Sequence, residues 1–163
     1  MVSLLDGEMV VDFADLALQE QRMLRRAKDE LVGSHHPYSK SGHSVASVVW
    51  VILPDDRSRY YACTNFEVRP RSGACAEDAA IFMTHAAHRT EYAQAICVID
   101  ENGDGSPTEE VPYPCPVSRG AIAELAQLSG LREDFPVILS TTNFDKVVKT
   151  TIGILLPHAF DYP

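Results

Sequence analysis

A chain of 163 residues has the length of one ordinary domain. Its 45% hydrophobic and 23% charged residues suffice for a real core and exclude wholesale disorder or a disulfide-built miniprotein. With 23 acidic residues against 14 basic ones, the net charge of -9 repels nucleic acid phosphates and favours a small-molecule partner.

Apolar residues Phe13, Leu16, Ala17, Leu24, Ala27 and Leu31 recur at helical spacing, so 13–31 is expected to be an amphipathic helix ending near Gly33. Segment 34–42 is turn-rich. Segment 45–53 reads as a buried strand, and Pro54, Asp55 and Asp56 turn it into an antiparallel strand over 59–66. A helix over 74–88, a strand over 92–99 and a polar loop over 100–114 follow, the loop being of a length that often borders a site. The next helix runs from Pro116 to about Ser129. Short strands over 135–140 and 146–149 flank a turn at Asn143 to Asp145, and a last short helix begins near Thr150. This order implies one α/β domain over 1–163, a three-layer α/β/α sandwich around a mixed five-stranded sheet.

The longest apolar run, 45–53, is interrupted by Ser47 and is too short for a membrane helix, so no membrane association is expected. Residues 1–11 carry Asp6 and Glu8 and lack the basic region of a secretory signal. Cys63, Cys75, Cys97 and Cys115 are therefore expected as reduced thiols in a cytoplasmic protein. Cys63 and Cys97 fall in strands and read as packing residues.

Cys75 and Cys115 each lie at the N-terminus of a predicted helix, where unpaired amides and the positive end of the helix dipole stabilise a thiolate. Pro116 suits the first helical position and puts Cys115 at the cap. Two such helix tips facing one point could hold a metal. Glu77, two residues after Cys75, would sit beside that metal, placed to move a proton.

The pattern Cys75-Ala76-Glu77 followed by Pro114-Cys115-Pro116-Val117-Ser118 resembles the zinc signature of the cytidine deaminase-like enzymes, Cys-Ala-Glu and then Pro-Cys-x-x-Cys. Within that superfamily the chain is most similar to the blasticidin S deaminases, through His43-Ser44-Val45, Ala80-Ile81, the segment 148–152 and Leu156-Pro157. The likeness covers about three quarters of the chain, 38–160. It implies a hydrolytic deaminase of a cytosine nucleoside or nucleoside antibiotic, with zinc as cofactor, Glu77 as proton shuttle and Cys75, Cys115 and position 118 as ligands. It also implies a homotetramer whose sites are completed by a neighbour's tail, with Phe160 in contact with substrate.

The third ligand position holds Ser118, and a serine hydroxyl is a poor zinc ligand near neutral pH. Three explanations stay open: an engineered replacement of Cys, a natural variant with a rearranged site, or a protein that has dispensed with zinc. As an alternative to the zinc enzyme, Cys75 or Cys115 serves as nucleophile with Glu77 as acid/base, or the chain is an inactive binding homologue. On the substrate side Asn65 and Glu67 match the family's Asn-x-Glu, which hydrogen-bonds sugar hydroxyls, and read equally as a strand-end turn pair. Arg69 and Arg71 replace small or aromatic residues of the relatives and suit a carboxylate or phosphate, or remain solvated loop charges. His43 is the candidate ring flanking the base.

Overall fold

The computed structural model describes residues 6–32, 43–69, 72–157 and 159. In chain order, β1 spans Met9–Val11, α1 Leu18–Leu31, β2 His43–Ile52, β3 Ser58–Thr64, β4 Phe66–Arg69, β5 Ser72–Ala74 and α2 Ala76–Ala86. Then come β6 at Ala93–Asn102, α3 at Pro116–Ser129, β7 at Pro136–Thr141, β8 at Val147–Thr151 and α4 at Ile152–Leu155.

Six strands form one sheet in the order β1-β8-β7-β6-β2-β3, and β4 pairs with β5 as a separate hairpin. Every pairing in the sheet is antiparallel except β6 with β7, which α3 joins as a crossover. The mixed α/β sandwich is therefore as expected, with six strands in the sheet instead of five.

Alternation along the strands builds two cores. In β2, Ala46 and Val48 face α1 while Val49 and Val51 face the opposite layer; in β6, Cys97 and Ile99 face α1 while Ile96 and Val98 face away. The α1 layer contributes Met23, Leu24, Ala27 and Leu31, all fully or nearly fully buried. The other layer holds α2, α3 and α4 through Ala80, Ile122, Leu125, Ile152 and Leu155. Both cysteine-capped helices thus lie on the same face of the sheet. Ser47, buried in β2, donates its hydroxyl to the Cys97 carbonyl at 2.8 Å, which accounts for a polar residue inside an apolar strand.

Several boundaries differ from the sequence expectation. The helix expected from Phe13 starts at Leu18: residues 13–15 form a separate 3-10 turn, and Glu20 caps α1 by accepting the Ala17 amide at 2.9 Å. Phe13 is held apart by stacking on Phe144, with ring centroids 4.5 Å apart. The strand expected over 59–66 breaks at Asn65, whose Oδ1 accepts the Val45 amide at 2.8 Å. Strands β1 and β5, three residues each, are too short to leave a period in the sequence. The last helix begins at Ile152 because Thr150 and Thr151 pair with Val137 and Pro136 in the sheet. Among the described residues no helix is long and apolar enough to cross a membrane.

Candidate active site

Cys75 is the residue just before α2, and Cys115 is the residue just before α3; both are extended, at φ -67 and ψ 151 and at φ -65 and ψ 163. The hairpin of β4 and β5 delivers the first, with Glu67 opposite Gly73 in register. Loop 103–115 delivers the second, leaving the C-terminal end of β6, one of the two parallel strands. In open α/β sheets that end is where ligands bind. Pro116 occupies the first turn of α3, as expected from its fixed φ.

The two sulfurs meet 3.9 Å apart. The amide of Ser118 donates to Cys115 Sγ at 3.4 Å, and the Ser118 hydroxyl lies 3.4 Å from the same sulfur. Ser118 is fully buried. Glu77, in the first turn of α2, is 5% exposed and close enough to Cys75 to act on its ionisation.

These neighbours push the two thiols in opposite directions. Burial, then the adjacent Cys115 and Glu77, raises Cys75 to about 11 despite a hydrogen bond from Ser118. Burial also works against ionisation of Cys115, but the hydroxyl and amide of Ser118 outweigh it, and Cys115 lies below the ordinary thiol value. The surroundings therefore disfavour ionisation of one thiol and favour that of the other. Burial, with help from neighbouring Asp78, raises the Glu77 carboxyl above the ordinary glutamate value. Cys97 is pushed up to about 12 by complete burial and is inert, while Cys63 is half-buried against the core.

The other expected site residues divide. His43 opens β2 at an exposed position opposite Asn102. The Asn65 amide brackets β2, accepting the Val45 amide and donating to the His43 carbonyl at 3.5 Å. Only the backbone of Glu67 and Arg69 is described, and Arg71 and Phe160 lie outside the described residues. Arg119 went unnoticed in the sequence. Its Nε donates to the Pro114 carbonyl at 2.8 Å and its Nη1 to the Leu155 carbonyl at 3.1 Å, tying the cap of α3 to the end of α4. A basic residue in the first turn of a helix, where it opposes the helix dipole, was the available signal.

Zinc meets two thiols at a fitting separation, since tetrahedral zinc with bonds of about 2.3 Å spaces its sulfurs by about 3.8 Å. The third donor is a neutral hydroxyl. No group of three His, Cys, Asp or Glu side chains among the described residues is placed to hold a metal. The donor set thus falls one ligand short of a catalytic zinc site.

Comparison with solved structures places this fold. A cytidine deaminase from Burkholderia pseudomallei superposes with a TM-score of 0.66 at 26% identity, over 86% of this chain and 98% of that one. Cytidine deaminase from Mycobacterium tuberculosis gives a TM-score of 0.58 at 22% identity, over 88% and 98%. No protein-family profile and no curated protein matches the chain. The chain has the cytidine deaminase-like fold, and these neighbours support an aminohydrolase of the deaminase type.

Proposed function

We propose that this protein is a hydrolytic deaminase of a free cytosine nucleoside or a related nucleoside antibiotic of the blasticidin S kind, with an altered metal site. The observation that carries the reading is Glu77: a buried carboxyl with a raised pKa, beside two helix-capping cysteines, on the fold of cytidine deaminases. In the net reaction water replaces the exocyclic amine at C4, giving a ring carbonyl and ammonia. Glu77 takes a proton from the attacking water, delivers it to the ring nitrogen, and then moves a proton to the departing amine. Asn65, Glu67 and His43 are assigned to the sugar and base, and Arg69 and Arg71 to an anionic substituent. A bound zinc would supply an activated water.

The position of Ser118 favours a second reading. Its hydroxyl and amide both contact Cys115, an exposed residue whose thiol lies below the ordinary value. In that reading the Cys115 thiolate adds to C4, Glu77 protonates the leaving ammonia, and water then displaces the sulfur. Assembly into a tetramer is supported by Phe82, Val117 and Leu128, apolar residues on α2 and α3 that are 70%, 72% and 56% exposed. A cytoplasmic setting would keep the Cys75 and Cys115 thiols reduced.

The test is turnover of cytidine, deoxycytidine and blasticidin S, read as ammonia release, by protein that is zinc-loaded, chelated, or alkylated at Cys115. Activity lost on chelation supports the altered metal site; activity that survives chelation but not alkylation selects the thiolate mechanism. No turnover of any of the three leaves only the binding homologue.

A further inference from the structure

We propose that Cys75 and Cys115 are a reversible oxidation site that peroxide closes into an internal disulfide. The inference rests on geometry and holds whether or not the chain turns over a nucleoside. The sulfurs are already 3.9 Å apart, within direct contact, and a disulfide needs about 2.05 Å. Both caps sit on helices anchored to one sheet face, so the pair is held together.

Ser118 is what makes this pair free to react. Where a third thiolate would help to hold a metal over both sulfurs, the buried hydroxyl offers no sulfur and no anionic charge. The Ser118 amide instead donates to Cys115 Sγ, and the hydroxyl oxygen accepts from the Cys115 thiol. Cys115 is exposed and Cys75 half-buried, so a dissolved oxidant meets Cys115 first.

The steps balance with hydrogen peroxide as oxidant. Cys115 sulfur attacks one peroxide oxygen, becoming a sulfenic acid and releasing water. The Cys75 sulfur then attacks the Cys115 sulfur, and the hydroxyl leaves with the Cys75 proton as a second water. Two thiols lose two electrons and peroxide gains them. The product withdraws both sulfurs from metal binding and from nucleophilic attack.

The experiment treats the chelated protein with a few equivalents of hydrogen peroxide, blocks remaining thiols with N-ethylmaleimide under denaturing conditions, and reads intact mass and a non-reducing tryptic map. Of the 4 cysteines, two should escape alkylation, with an intact-mass loss of about 2 Da before labelling. Cleavage at Arg89 separates Cys75 from Cys115, and fragment ions should place the bridge at Cys115 and not at Cys97 in the same peptide. A dithiol reductant should restore all thiols. In Cys75→Ser the bridge should be missing and Cys115 should be trapped by dimedone as sulfenic acid. Four alkylated cysteines after peroxide, overoxidation of Cys115 without a bridge, or a bridge to Cys63 or Cys97 would overturn the proposal.

Discussion

Replacing Ser118 by Cys should convert the incomplete donor set into a zinc site. Cys75 and Cys115 already stand 3.9 Å apart, against about 3.8 Å between sulfurs on tetrahedral zinc. Ser118 Oγ is 3.4 Å from Cys115 Sγ, so a cysteine sulfur at this position would stand beside the Cys115 thiol. Zinc held by four protein ligands stabilises small peptides by roughly 10–16 kcal/mol, or about 3 kcal/mol per ligand, so a third thiolate should tighten binding on the order of a hundredfold. The assay is competition with a chromophoric chelator, with zinc per chain by elemental analysis after dialysis. Ser118→Cys should approach one zinc per chain under conditions that leave the parent protein largely empty, and deaminase activity should rise with occupancy. A folded variant that binds zinc no better than the parent would refute the reasoning and show that the site has diverged beyond one residue.

Three further outcomes follow from the same contacts. Because burial raises the Glu77 pKa above its unfolded value, its contribution to stability is fully present below the unfolded carboxylate value near 4.5 and is lost as pH rises through the folded one. Glu77→Gln should therefore melt above the parent at pH 8, with the gap closing towards pH 4; a gap of constant size across that range contradicts the assignment. Ser118→Ala removes the hydroxyl that lowers Cys115, so iodoacetamide should label Cys115 more slowly at pH 7.5, as read by peptide mass spectrometry. Arg119→Met deletes two partly buried bonds from a charged donor; at about 2 kcal/mol for the pair, Tm should fall by about 4–8 °C in a thermal melt, and an unchanged Tm would mean that the tie is idle.

Long periodic elements were legible in the sequence because burial imposes a period. Helix α3 was expected from Pro116 to about Ser129 and spans those residues, since a Pro at its first position and an αL glycine, Gly130, beyond its end mark both limits. The start of α1 was not legible, because the stacking of Phe13 on Phe144 that detaches the first turn joins residues far apart in the chain. The same holds for the strand break at Asn65, whose Oδ1 accepts the amide of Val45 from a different strand. Within the site, the meeting of Cys75, Cys115 and Ser118 was legible through a motif. The opposite tuning of the two thiols was not, because it depends on which sulfur the Ser118 amide and hydroxyl face and how deeply each is buried.

The most direct measurement of the central assignment compares the parent and Glu77→Gln in turnover and in binding of one nucleoside that the parent deaminates. An amide preserves the shape of the carboxyl but cannot accept a proton from water, so kcat should fall by at least about 100-fold, the usual contribution of a general acid-base group, while Kd by calorimetry changes little. Unchanged turnover in a folded Glu77→Gln protein would contradict the role given to Glu77 in both the water and the thiolate mechanism.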